Sequence, residues 1–201
     1  MKLAILDGLS QIPITSLDIE TYSPQGFPHD AEDPIVSVSL AQPLCGDPRW
    51  GVELSSVVCH PSLEPRLLRI LSSLLNSRLG GILLTYNGLR FDLPYLKSRA
   101  DRYGIELSWK LDGMPHIDLY QLVRGWELCL PSYRQKEVEE FLGIRRHVAD
   151  VNGGNYYRHY QNFLKKGDIK PILYNIEDAL LIHMILYILK RGLKRRIMEE
   201  G

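Results

Sequence analysis

The sequence predicts an α/β fold: a mixed central sheet with helices packed on it. Three observations carry that expectation. Strand-like segments lead the chain, and helix-spaced apolar residues then alternate with one short, almost wholly apolar run of the kind buried on both faces of a sheet. The third is size. At 201 residues, 45% hydrophobic and 24% charged, with no internal repeat and no Pro/Gly-rich linker, the chain fits one folded domain over 1–201.

The first strand is expected over Ile14 to Thr21, where Ile14, Leu17 and Ile19 stand among small and acidic residues. A loop rich in breakers (Ser23, Pro24, Gly26, Pro28, Pro34) leads to a second strand, Ile35 to Ala41. A third, Trp50 to Val58, pairs with it through the Pro43–Pro48 turn region. Leu63 to Leu79 has apolar residues at helical spacing, with Ser62 as N-cap and Gly80-Gly81 as terminator. Ile82 to Tyr86 is the apolar run of a central strand. Phe91 to Tyr103 reads as a helix closed by Gly104, and His116 to Leu119 as a short element. Three further helices are expected: Tyr133 to Leu142 capped by Ser132, Tyr156 to Lys166 after the Asp150–Asn155 loop, and a long apolar one over Ile172 to Leu193.

Composition excludes several classes. The most apolar stretch, Ala179 to Leu189, is shorter than the ~20 residues of a membrane span and has charged flanks, so no membrane role is expected. Near the N-terminus Asp7 interrupts a short apolar run after Lys2, which makes no targeting signal. Cys45, Cys59 and Cys129 form no CxxC pair, and reduced thiols in a cytoplasmic protein are expected. The six histidines show no zinc-ligand spacing, and Asp150–Asn155 begins like a calcium loop but has Asn155 where that loop needs Gly. Tyr156, Tyr157, Tyr160 and Phe163 form a helical aromatic stripe suited to core packing. Lys+Arg and Asp+Glu are both 24, so the whole-chain balance lacks the basic excess of a non-specific nucleic-acid binder.

Four acids stand apart from the rest. Asp18 and Glu20 lie two apart on a strand and so share a face, with Leu17 and Ile19 directed to the other. Paired carboxylates at a strand end repel each other and favour a divalent cation such as Mg²⁺. Asp92 follows the turn Asn87-Gly88 and opens a helix whose first turn holds Pro94. Tyr174 and Asp178, at i and i+4 on the last helix, project together. Taken singly each feature has a plain structural explanation: a solvated strand end, a helix cap, an exposed helix edge.

Taken together and in order, these segments resemble the Exo I, Exo II and Exo III motifs of the DEDD 3′–5′ exonuclease superfamily. They are most similar to the proofreading domain of family B DNA polymerases. Asp18-Ile19-Glu20-Thr21 with Phe27-Pro28 and Asp33-Pro34-Ile35 resembles Exo I. Tyr86-Asn87-Gly88 with Phe91-Asp92-Leu93-Pro94-Tyr95-Leu96 and Arg99-Ala100 resembles Exo II. Tyr174-x-x-x-Asp178 resembles Exo III of the tyrosine (DEDDy) branch. His116-Ile117-Asp118-Leu119, Val138-Glu139-Glu140-Phe141-Leu142-Gly143 and Gly167-Asp168 also fit. The likeness spans about 15–190 and leaves a basic end over 190–201, with no segment for polymerase palm, fingers or thumb.

The resemblance implies an RNase H-like fold and 3′–5′ exonuclease hydrolysis of DNA, single-stranded ends above all, with two Mg²⁺ or Mn²⁺ ions as cofactors. It implies that Asp18, Glu20, Asp92 and Asp178 bind metal, with Asp18 bridging both ions and Asp92 serving the second. It also implies that Tyr174 aligns the attacking water, that Asn87 contacts the terminal nucleotide and Phe91 stacks on a base, and that Thr21 belongs to the substrate side. The same acids would serve RNA or endonucleolytic cleavage. A non-catalytic binding or scaffold module, docked on replication or repair proteins, is the alternative of a different class; the complete acidic set argues against inertness. Setting the four acids aside as metal-neutralised leaves 24 basic against 20 acidic residues, a modest excess for phosphate contact. Arg145-Arg146-His147 and the run from Lys190 to Arg196 are the basic clusters available for it.

Overall fold

Alternation along strand β1 (Ile14–Thr21) sends Leu17 and Ile19 to one face and Ser16, Asp18 and Glu20 to the other, and the sheet is organised around that division. The computed structural model describes residues 12–28, 31–125 and 130–200, with backbone alone from 193. After β1 come β2 (Ile35–Pro43), β3 (Val52–Val58), α1 (Glu64–Asn76), β4 (Ile82–Thr85), α2 (Asp92–Arg102) and α3 (Ser108–Gly113). Then follow β5 (His116–Asp118), α4 (Leu119–Arg124), α5 (Gln135–Phe141), α6 (Tyr156–Lys166) and α7 (Lys170–Glu200).

The five strands run in the order β3-β2-β1-β4-β5. The β1–β2 and β2–β3 pairs are antiparallel and the β1–β4 and β4–β5 pairs parallel, so the sheet is mixed, as expected. Register places Asp18 opposite Ser39 and Glu20 opposite Ser37, and it slips between Glu20 and Thr21. A slip of this kind bends a strand and re-aims its side chains. Here it falls directly after the two acids.

On the apolar face Leu17, Ile19, Val38, Leu40 and Leu83 meet Leu67, Leu68, Leu71 and Leu75 of α1 and Leu93, Leu96 and Ala100 of α2. Each such leucine contributes roughly 1.5–3 kcal/mol by leaving water. Helix α7 covers the opposite face. Small hydroxyl residues let it approach closely: the Ser16 hydroxyl reaches the Ala179 carbonyl at 2.6 Å. Further along, Ile182, Ile185, Leu186 and Leu189 continue the core onto Leu84, Leu119, Val123 and Val138.

Several boundaries differ from expectation. Pro61–Leu63 forms a 3₁₀ turn in which the His60 ring accepts from the Ser62 amide, so Leu63 rather than Ser62 precedes α1. Pro48–Trp50 likewise turns before β3 begins at Val52. Helix α5 starts at Gln135, and the Ser132 hydroxyl bonds Glu137 instead of capping at Tyr133. Helices α3 and α4 were not expected. Helix α6 has the expected bounds, ended by Gly167 at φ 72°, with Tyr156 and Tyr160 buried as the core reading of the aromatic stripe predicts. Helix α7 is longer than expected, and its Lys170–Gly192 part reaches the length and composition of a membrane span; half of that window is buried inside the fold, against the sheet. Cys45 and Cys59 are free thiols; Cys129, His29, the segment before Ile12 and the side chains from Leu193 to Arg196 lie outside the described residues.

Candidate active site

The acids converge because the elements carrying them end at one edge of the sheet. Asp18 and Glu20 come from β1, Asp92 opens α2 just beyond β4, and Tyr174 and Asp178 stand one turn apart on α7. All five line one cleft of about 800 Å³. Asp18, Glu20 and Asp178 each present a carboxylate oxygen to a cluster in which these atoms lie within 4.8 Å of one another. Asp92 lies in the same cleft but outside this tight cluster; one of its oxygens accepts the Ile19 amide at 3.3 Å. Asn87, Phe91 and Thr21 also line the cleft, the Thr21 hydroxyl being shared with Ser23 at 2.7 Å.

Electrostatics mark the cluster as deficient in positive charge. Burial, then repulsion from Asp178, Asp92 and Glu20, holds the Asp18 pKa well above the usual carboxylate range, while a hydrogen bond from Asn175 opposes the shift. Burial and the neighbouring Asp178 and Asp92 raise Glu20 similarly, against Lys136 and Arg146. Burial pushes Asp92 up to about 7. Asp178 is raised by burial as well, though Arg146 and the Tyr174 phenol favour its ionised form. A cation among these oxygens relieves desolvation and repulsion together. The donor set is all oxygen, which suits Mg²⁺ or Mn²⁺ rather than a softer metal. Burial and the surrounding carboxylates raise the Tyr174 phenol far above its ordinary value, so at neutral pH it is a hydrogen-bond donor and not a base.

The acids rest on a layer of supports that the sequence did not reveal. Asn175 donates to Asp18 Oδ2 at 2.6 Å and accepts from Ser37 and Ser39 at 2.8 and 2.6 Å. Arg146 is ion-paired with Asp178 and grips Glu139 through two nitrogens, one at 2.7 Å. Glu177 secures the segment bearing Arg146 by accepting from the amides of His147 and Val148 at 2.7 and 3.0 Å. Arg146 was expected in a surface basic cluster; its side chain is only 6% exposed and belongs to the interior of the site. Lys136, from the first turn of α5, lines the cleft with its ammonium 5.0 Å from the Tyr174 ring centre. Phe27, 69% exposed, forms a rim against Gly153, where an added Cβ would lie 3.2 Å from the ring. The one sequence signal for the supports is Ser37 and Ser39, small hydroxyl residues two apart on an otherwise apolar strand.

A family model described as RNase_H superfamily matches residues 17–189. Among curated proteins, the chain is 25% identical over 198 residues to a DNA polymerase of Archaeoglobus fulgidus, covering 87% of this chain and 22% of that one. It is 27% identical over 154 residues to a DNA polymerase of Pyrococcus glycovorans, with 67% and 20% covered. The chain thus spans about a fifth of the length of these relatives. Among solved structures, the family B DNA polymerase of Pyrobaculum calidifontis superposes with a TM-score of 0.69 over 88% of this chain and 24% of that chain, at 18% identity, a likeness of fold.

Proposed function

The chain belongs to the RNase_H superfamily, and from that premise we propose that it is a metal-dependent 3′–5′ exonuclease acting on single-stranded DNA ends. The observation that carries this reading is the convergence of Asp18, Glu20 and Asp178 within 4.8 Å beside Tyr174. In this reading Asp18, Glu20 and Asp178 would hold one divalent ion, and Asp92 would serve a second together with Asp18. Bound ions supply Lewis-acid activation of water and of the phosphodiester oxygens. Tyr174, whose O–H otherwise bonds Asp178, would turn that hydrogen bond to the attacking water and orient it. Asn87 and Phe91 seat the terminal nucleotide, with Thr21 at the strand end beside them. Stacking on Phe91 favours no base over another and contributes ~1–3 kcal/mol. Similarity to DNA polymerases over nearly all of this chain supports DNA as the substrate class.

The test is digestion of 5′-labelled single-stranded DNA, and of RNA of the same sequence, in Mg²⁺ or Mn²⁺. A ladder shortening from the 3′ end is expected on DNA, and its loss in Asp18→Ala and Asp178→Asn with the circular dichroism spectrum unchanged. Internal fragments, or turnover of RNA alone, would replace the exonuclease reading; unaltered cleavage in either variant would overturn the site.

A further inference from the structure

Behind the turn that carries Asn87 and Phe91 sits a carboxylate that does not line the cleft. Asp118 ends β5 and is 6% exposed. Its Oδ1 accepts the amides of Asn87 at 2.8 Å and Tyr120 at 3.0 Å, and its Oδ2 accepts the Leu89 amide at 3.2 Å. The intervening Gly88 amide goes to the Thr85 hydroxyl at 3.2 Å, and a Cβ on Gly88 would stand 2.4 Å from that same oxygen. Asn87 itself lies in the left-handed region at φ 63°, which asparagine enters more readily than other non-glycine residues. Three successive amides are therefore taken by side chains at the ends of β4 and β5, so the backbone donors of the turn are satisfied from outside it.

We propose that Asp118 is a positioning residue for substrate: by gripping the amides of Asn87 and Leu89 it fixes the turn so that Asn87 and Phe91 stand at the cleft in a preset arrangement. The proposal rests on the exonuclease reading for the identity of the substrate, and on the geometry alone for the grip. The competing explanation is that Asp118 is only the N-cap of α4, since it also accepts the Tyr120 amide. Asn and Ser are both effective N-caps, so substitution separates the two roles. Asp118→Asn keeps an acceptor for Asn87 and Tyr120 but turns an NH₂ donor toward the Leu89 amide. Asp118→Ser keeps the cap and gives up both turn contacts.

The experiment measures three quantities on wild type and both variants: amide hydrogen exchange over 86–91, the melting temperature, and KM and kcat on single-stranded DNA with Mn²⁺. Faster exchange across the turn is expected in both variants, with KM raised ~3–10-fold in Asp118→Asn and further in Asp118→Ser, and kcat changed less than KM. The melting temperature should fall by only ~2–8 °C, because the cap survives while one or two turn amides lose their acceptor. Unchanged exchange overturns the grip whatever the substrate is. Faster exchange with unchanged KM overturns the substrate role, and a fall in melting temperature with KM unchanged leaves Asp118 a structural support of the turn only. Wild-type protein that degrades no DNA defeats the exonuclease reading and with it the substrate role, while exchange still decides the grip.

Discussion

The amide nitrogen of Asn175 lies 2.6 Å from Oδ2 of Asp18. An ionised carboxylate only accepts, so with Asp18 ionised this contact fixes the orientation of the whole amide: Nδ2 faces Asp18, Oδ1 faces β2, and the Ser37 and Ser39 hydroxyls donate to it. Asn175→Asp reverses the logic by removing the donor and placing another acid against Asp18. Partners of this outer kind typically matter ~10–100-fold in metal affinity or activity. A loss of that size is expected in both Mn²⁺ affinity by calorimetry and turnover for Asn175→Asp, with a smaller loss for Asn175→Ala. Equal behaviour of the two variants would show that the added charge does not matter.

Metal-free protein should lose stability as pH rises. Asp18, Glu20 and Asp92 all have folded-state pKa values above their ordinary ones, Asp92 at about 7. Their folded forms therefore hold protons that the unfolded chain gives up near pH ~4, so stability is highest below that pH and declines as pH rises through ~7. Melting temperatures in EDTA should fall between pH ~5 and ~8, and excess Mn²⁺ should flatten or reverse the slope because a bound dication neutralises the same carboxylates. Asp92→Asn removes one titrating group and should make the EDTA slope shallower. A flat profile in EDTA would contradict the crowding of these acids in one buried site.

Arg146 should behave as a buried charge partner and not as a surface phosphate contact. Its removal in Arg146→Met strands Glu139, which is 1% exposed, and takes a cation from Asp178. Breaking one side of such a pair costs roughly 3–5 kcal/mol. Urea unfolding should show that loss in Arg146→Met and recover most of it in the Glu139→Gln, Arg146→Met double variant. Arg145, which is exposed, should tolerate Arg145→Met within ~0.5 kcal/mol.

What could be read beforehand was whatever local periodicity encodes. Apolar residues among small and polar ones mark β1 and β2, an apolar run marks β4, and a helical aromatic stripe after a breaker-rich loop marks α6. Helices α3 and α4 span six residues each, under two turns, too short for a 3.6-residue period to register. Local spacing pairs Asp18 with Glu20 on a strand and Tyr174 with Asp178 on a helix, but what singles out the set, Asp92 included, is the resemblance of three ordered motifs. Asn175, Arg146 and Asp118 each meet a partner of the site far along the chain, 157 residues away for Asn175 and Asp18, 32 for Arg146 and Asp178 and 31 for Asp118 and Asn87, and no local pattern announces that. The expected surface role of Arg146 failed for the same reason: basic neighbours in sequence say nothing of the buried Glu139 that one of them meets.

The Glu64–Arg99 pair should link stability to the shape of the cleft rim. Both side chains are almost wholly buried, at 0% and 4% exposed, and ion-paired. Arg99 also donates to the carbonyls of Ala31 and Glu32 at 3.0 and 2.8 Å, Glu64 accepts the Ile35 amide at 2.8 Å, and the Tyr95 hydroxyl donates to the Asp33 carbonyl at 2.7 Å. These bonds tie down the end of the loop that begins after β1 and carries Phe27 and Pro28 to the cleft. Arg99→Met leaves the Glu64 charge buried and the loop carbonyls without their donor, so a loss of roughly 3–5 kcal/mol is expected in urea unfolding. Tyr95→Phe removes one hydrogen bond and should cost only ~1 kcal/mol. Because Tyr95→Phe keeps the ring and gives up only the bond to the Asp33 carbonyl, it isolates the rim: affinity for single-stranded DNA should weaken modestly while Mn²⁺ affinity stays at the wild-type value, since that bond reaches the loop and none of the acids. A change in Mn²⁺ affinity of the same size as the change in DNA affinity would mean that the loop supports the acidic cluster itself and not the rim alone.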